Sequence, residues 1–324
     1  MLTPLAKTCA AIVAFIVLLW AVGPYEPAPL TPNLDTSRIG RNLDAYFSAR
    51  EEVYSDITPG TEKRVIWADA KSTRTDWVVL YVHGFSATSE EIRPVPDKVA
   101  DSLGANLIFT RLRGHGRGAL AMTEARVQDW VNDLDEALAA ARAIGDKVLV
   151  ISTSTGGTLV AAAAQDHAAM RGVLGLVFVS PNFAVNNAAA PVLTWPAARY
   201  WLPLIAGKER SFEPLNDAQE KYWTTQYPSS AVFPMAALVK AVSALDHRRA
   251  TVPAMFMFTD ADQVVVADAT RGVAAHWGGP VKIINPVLGA NDDPSSHVIA
   301  GDIVSPEQTE TAAFAILNWA KGLD

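Results

Sequence analysis

Six short apolar runs recur through the 324-residue chain, almost uninterrupted by polar residues. They are Trp77-Val78-Val79-Leu80-Tyr81-Val82, Leu107-Ile108-Phe109, Val148-Leu149-Val150-Ile151, Leu174-Gly175-Leu176-Val177-Phe178-Val179, Ala254-Met255-Phe256-Met257-Phe258 and Val281-Lys282-Ile283-Ile284. Successive side chains of a strand point to opposite faces, so a strand wet on one side alternates apolar with polar residues. Runs that do not alternate need cover on both faces, which is the situation in a parallel sheet clothed by helices. The stretches between the runs supply those helices. From Val127 to Ile144, for example, Trp130, Leu134, Leu138 and Ala141 fall on one stripe. Ahead of the first run, Ile39, Leu43 and Phe47 recur at helical spacing to about Glu52, behind possible caps at Asp35 or Thr36. The pattern predicts an α/β fold with a mostly parallel central sheet flanked by helices. Half of the residues are apolar and 19% are charged, ordinary proportions for a chain with a large core.

The rhythm breaks between residues 183 and 250. No apolar run occurs there, while Trp195, Tyr200, Trp201, Trp223, Tyr227 and Phe233 accumulate among prolines. Lying between two sheet strands, this segment is expected to be an inserted, mainly helical cap. Its aromatics either line an apolar pocket or pack among themselves.

Residues 1–33 read as a separate unit preceding a globular domain over 34–324. No charged residue occurs between Lys7 and Glu26, and Ala10 to Trp20 is strongly apolar, as in a signal peptide or membrane anchor. Ala21-Val22-Gly23 is the nearest cleavage site, but Pro24 follows directly. An uncleaved anchor is therefore the expectation, with a cleaved signal and a secreted protein as the alternative. Lys7 on the leading side favours a body outside the cytoplasm, on the periplasmic side, while Arg38 and Arg41 oppose this. Pro24, Pro27, Pro29 and Pro32 predict a stiff spacer. At roughly 3.1 Å per residue, it would hold the body about 30 Å from the bilayer.

Several classes of function are excluded. A net charge of −7 with no basic run argues against nucleic acid as a partner. Cys9 is the single cysteine, so neither an internal disulfide nor a thiol metal cluster can form, and no zinc-ligand spacing occurs. Neither a metal nor a cofactor is implied.

Val148-Leu149-Val150-Ile151-Ser152-Thr153-Ser154-Thr155-Gly156-Gly157-Thr158 reads as strand, sharp turn and helix with a serine at the turn. Such a turn lifts a hydroxyl off the sheet edge and aims a helix N-terminus at developing negative charge. Here the chain resembles the α/β-hydrolase family, whose motif is Gly-x-Ser-x-Gly, with Ser152 in place of the first glycine. The resemblance implies Ser154 as nucleophile, with Ser152 as a rival. It extends from about Val65 to Leu323 through three further elements. Val82-His83-Gly84-Phe85 follows the first buried strand, where the family carries its oxyanion loop; it implies the amides of Phe85 and Thr155 as donors and His83 as a loop-shaping residue. Arg113-Gly114-His115-Gly116 is similar to the family's glycine turn, with His115 structural. Phe258-Thr259-Asp260-Ala261-Asp262-Gln263-Val264-Val265 resembles the Asp-x-Val-Val turn, whose register selects Asp262 over Asp260. His297, in the late Asp293-Pro294-Ser295-Ser296-His297 loop, completes the expected order of serine, acid and base. His167, His247 and His276 fall in helical or cap contexts. The resemblance implies a serine hydrolase acting through an acyl-enzyme on small apolar carboxylic esters of short to medium chain. A monoacylglycerol-type lipase, a thioesterase or lactonase, and a peptidase using Lys208, Glu209 or Arg210 are alternatives, as is a catalytically silent binding module.

Overall fold

A seven-stranded sheet organises the computed structural model, which describes residues 3–323. The strands are β1 (Arg64–Ile66), β2 (Thr75–Val82), β3 (Asn106–Phe109), β4 (Gly145–Thr153), β5 (Val173–Val179), β8 (Ala254–Met257) and β9 (Val281–Ile284). They lie in the order β1-β3-β2-β4-β5-β8-β9. All neighbours are parallel except β1, which runs antiparallel beside β3. β6 (Glu209–Ser211) and β7 (Gln226–Pro228) form a separate antiparallel ribbon.

Alternate residues of the same strands enter two different cores, which is why the apolar runs do not alternate with polar residues. Val78, Leu80, Val150, Leu176, Phe178 and Phe256 face α4 (Val127–Ile144), α5 (Thr155–Ala163), α8 (Val232–Ser243) and α9 (Ala267–Ala275), with α2 (Leu43–Glu51) at the margin. Val79, Tyr81, Leu149, Ile151, Val177 and Met255 face α3 (Val95–Leu103) and α10 (Thr309–Ala320). Helix α4 spans the range its apolar stripe predicts, with Trp130, Leu134, Leu138 and Ala141 all buried. Helix α2 starts later than the periodicity implies. The Asn42 side chain accepts from the Ala45 amide and caps it, leaving Ile39 ahead of the helix. The last apolar run also departs from expectation: β9 is an edge strand with Val281 and Ile283 exposed, which accommodates Lys282.

Within residues 183–250 lie α6 (Ala198–Ala206), the β6–β7 ribbon, α7 (Asp217–Tyr222) and α8. Helix α8 is buried along most of its length and joins the core against α5. The preceding residues form a looser cover.

Helix α1 (Pro4–Val22) has no buried residue. At 19 residues it is long and apolar enough to cross a membrane. The proline-rich segment after it is not the free spacer its composition predicts. The Arg199 guanidinium donates to both Glu26 carboxylate oxygens at 2.6 Å, and the Ala197 amide to the Pro24 carbonyl at 2.9 Å. Farther along, the Gln128 side chain donates to the Thr31 carbonyl, and the Asn33 amide to Asn132. Ala28 and Leu30 pack against the core. The prolines hold the segment extended with its carbonyls free to accept, so it is laid along the body as a strap.

Candidate active site

Strand β4 lies between β2 and β5, mid-sheet, and delivers Ser154 at its carboxyl end. Ser154 has φ 49° and ψ −118°, a conformation costly for any residue with a β-carbon. It is over-determined by its surroundings: the Ser154 amide donates to the Val179 carbonyl, and its carbonyl accepts from Asn182 and Thr158. Helix α5 starts at the next residue and passes close under β2. A β-carbon on Gly156 would strike the carbonyl oxygens of Val82 and His83, so only glycine fits there. Ser152 is fully buried, and its hydroxyl donates to the Val177 carbonyl at 2.9 Å, an inward direction away from the site.

The structure brings Ser154, His297 and Asp262 together. His297 Nε2 lies 3.1 Å from Ser154 Oγ, and His297 Nδ1 lies 2.9 Å from Asp262 Oδ2. The other carboxylate oxygen of Asp262 accepts the amides of Val264 and Val265 at 2.8 and 2.9 Å. All three side chains are buried. Asp260 lies outside this chain. It is exposed, takes the Arg271 guanidinium, and accepts from Asn285 at 3.1 Å.

Burial works to lower the His297 pKa. The Asp262 hydrogen bond, with the negative charges of Asp262, Glu91 and Asp293, overrides it, so the pKa stands above the ordinary value of 6.5. The imidazole is aimed by a residue that motif spacing does not single out. Asp293 Oδ2 accepts the amides of His297 and Val298 at 3.0 and 2.8 Å, and both its oxygens accept from the Ser295 hydroxyl. That carboxylate turns the loop and presents the ring.

His83 shapes the loop after β2. The Leu112 amide donates to His83 Nε2 at 3.1 Å, so Nε2 carries the lone pair and Nδ1–H donates to the Gly84 carbonyl at 2.8 Å. Burial foremost, then the neighbouring His115, pushes the His83 pKa well below the ordinary histidine value, and the ring stays neutral. In a trans peptide the N–H lies opposite the C=O, so a fixed Gly84 carbonyl also fixes the direction of the Phe85 amide. Thr155 opens α5, where an amide has no helical partner. Among the described residues no protein acceptor takes the amide of Phe85 or Thr155. Both residues line the same cavity as Ser154. His115, at a pKa lowered to about 4 by burial, packs between the rings of His83, Phe85 and Trp130.

The cavity over Ser154 measures about 490 Å³. Its apolar wall includes Phe85, Val185, Phe212, Leu215, Trp223, Tyr227, Met235, Val264 and Val298. Of the cap aromatics, Phe212, Trp223 and Tyr227 therefore reach the cavity. Phe233 is in the core, Tyr200 is exposed, and Trp195 contacts Trp20 of α1 and Trp201. The acidic lining residues are Glu91, Glu213 and Asp293, and among the described residues no lysine or arginine lines it; Lys208, Glu209 and Arg210 are not in its wall. Two buried oxygens in this wall, Thr155 Oγ1 and Asn182 Oδ1, have no hydrogen-bond partner among the described residues. No group of three or more potential metal ligands occurs among the described residues.

Residues 73–285 match the sequence family described as Serine aminopeptidase, S33. A thermostable monoacylglycerol lipase from Bacillus sp. (strain H-257) is 27% identical over 188 residues, 58% of this chain and 71% of that protein. Among solved structures, that of a metagenome-derived lipolytic enzyme from work on LipS and LipT superposes with a TM-score of 0.67 at 18% identity, covering 82% of this chain and 99% of the other. Monoacylglycerol lipase from Paleococcus ferrophilus superposes with a TM-score of 0.58 at 16% identity, over 81% and 98% of the two chains. A soluble variant of the Saccharomyces cerevisiae monoglyceride lipase, solved with a substrate analog, gives 0.58 at 13%, over 83% and 97%. With well over half of this chain matched by the family and the fold shared by these structures, this chain belongs to the serine aminopeptidase S33 family of α/β-hydrolases and is a serine hydrolase.

Proposed function

We propose that the enzyme hydrolyses apolar carboxylic esters of short to medium chain, including monoacylglycerol-type esters, through an acyl-enzyme on Ser154. The observation that carries this reading is the hydrogen-bonded line from Ser154 Oγ through His297 to Asp262. His297 Nε2 takes the Ser154 proton as Oγ attacks the acyl carbon, and Asp262 holds the ring and stabilises the imidazolium. The amides of Phe85 and Thr155 receive the oxyanion, where preorganised donors have their largest effect. His297 returns the proton to the departing alcohol, and water deacylates the enzyme by the same route.

The apolar wall suits an acyl chain, and the unpartnered oxygens of Thr155 and Asn182 suit hydroxyl groups near the scissile bond. The Bacillus relative is named for monoacylglycerol hydrolysis, which points the same way. A fluorophosphonate probe should label Ser154, and p-nitrophenyl esters should turn over faster from butyrate to octanoate than acetate or palmitate. Labelling elsewhere, or no esterase activity, overturns the reading. Because His297 holds its proton above the ordinary value, the free base is lost on acidification earlier than for a free histidine. The acid limb of kcat/KM is therefore expected above pH 6.5. A limb below that value would show that Asp262 does not act on the ring as described.

The same reading keeps α1 attached as a membrane anchor, with the body on the external side. Fractionating host cells and sequencing the mature N-terminus tests this; a soluble protein beginning at Pro24 or beyond overturns it.

A further inference from the structure

Glu91 is 2% exposed and lines the cavity over Ser154. The arginines nearby, Arg64 and Arg93, pair with its neighbour Glu90. A buried carboxyl without a cation is costly unless its hydrogen bonds are strong. Those of Glu91 run to two elements of the active site. Its Oε2 accepts the Gly84 amide at 2.7 Å and the Tyr81 hydroxyl at 2.9 Å. The Tyr81 hydroxyl is in turn 3.0 Å from Thr153 Oγ1. An ionised carboxylate only accepts, so Tyr81 donates to Glu91 and is left to accept from Thr153. The line therefore runs from Thr153, adjacent to Ser154, to Gly84, adjacent to Phe85. Contact here is close: a β-carbon built on Gly84 would fall 2.7 Å from Glu91 Oε1 and 3.1 Å from the Ser154 β-carbon. Gly84 is thus held on both sides, its carbonyl by His83 and its amide by Glu91.

We propose that Glu91 is a positioning residue that, through Tyr81 and Gly84, holds the Phe85 oxyanion amide in register with the Ser154 turn. The inference rests on the triad reading given above. Burial raises the Glu91 carboxyl to about 7, against the Gly84 and Tyr81 hydrogen bonds and the charge of His297. The charged or titratable groups around it are Tyr81 and His297, with Glu90 acting on Tyr81, Asp262 and Asp293 on His297, and Arg64 and Arg93 paired with Glu90. The carboxylate is one of the charges that favour the His297 imidazolium.

The test uses the full chain in detergent micelles, with p-nitrophenyl butyrate turnover and the rate of fluorophosphonate labelling as readouts. Glu91→Ala should lower kcat and the labelling rate together, by about 10- to 100-fold, with KM changed less than about threefold. Glu91→Gln keeps an oxygen for the Gly84 amide and should restore most of kcat. Having no charge, it should also move the acid limb of kcat/KM to lower pH. A purely structural carboxyl would change thermal stability without this split between kcat and KM. Glu91→Ala with kcat within about twofold of wild type overturns the proposal, as does Glu91→Gln as impaired as alanine. Should Glu91→Ala not fold, Tyr81→Phe, which cuts the link to Thr153, decides: kcat must fall with KM unchanged, and an unchanged kcat overturns the role. Failure of the wild type to label at Ser154 would count against the triad itself. Labelling of wild type and Glu91→Ala at equal rates would count against Glu91 alone.

Discussion

Ser154→Ala is expected to lower kcat for p-nitrophenyl butyrate by about 10⁴-fold or more, because on the proposed mechanism it removes the nucleophile and leaves only the oxyanion amides and binding. The fold should survive. Among the described residues the Ser154 hydroxyl bonds to His297 alone, and the amide and carbonyl that fix the turn are retained. Circular dichroism and a melting curve establish that the variant is folded before its turnover is judged. Ser152→Ala is the matched control. It deletes an inward bond to the Val177 carbonyl and should cost about 1 kcal/mol of stability with turnover within about twofold. Substantial activity in Ser154→Ala, or its loss in Ser152→Ala, would reverse the assignment of nucleophile.

Asp262→Asn should lower kcat by a comparable factor, about 10⁴, and Asp260→Asn by less than about twofold. One oxygen of Asp262 accepts two backbone amides while the other receives the proton on His297 Nδ1. An asparagine can satisfy the two amides only by turning its NH₂ group toward the ring. Nδ1 must then accept, the ring proton moves to Nε2, and the nitrogen facing Ser154 can no longer take a proton. Asp260 has no such duty, since its partners are Arg271 and Asn285 at the surface. Side-by-side assays decide, and a larger loss at Asp260 would transfer the acid's role.

Much of this arrangement is legible in the sequence because it is local. A strand covered on both faces must be apolar throughout; the turns carrying Ser154 and Asp262 follow such strands, while the loop carrying His297 follows the exposed edge strand β9. What is not legible is set by residues remote in sequence. β1 has three residues and is a strand only because β3 offers it an edge. The aromatics of the cap look alike in one dimension, yet their partners send Trp223 to the cavity, Phe233 to the core and Trp195 to the side of Trp20. Asp293 reads as part of a Pro-Ser loop, and its role appears only when the His297 and Val298 amides converge on it. Glu91 is the hardest to read. In the sequence it is the second of two adjacent glutamates, and burial beside Gly84 distinguishes it from Glu90.

The strap also bears on processing. Since Pro24 and Glu26 are fastened to α6, and Thr31 and Asn33 to α4, the catalytic body physically begins at Pro24. A peptidase cutting after Gly23 removes the helix and leaves every one of these fastenings in place. Truncation at residue 34 strips Glu26 from Arg199 and uncovers the seat of Leu30 on the core. On the proposed anchoring, retention at a membrane and the fastening of residues 24–33 to the body separate at one peptide bond: a cut there costs the cap the Trp195 contact with Trp20 and leaves the Glu26–Arg199 bridge intact.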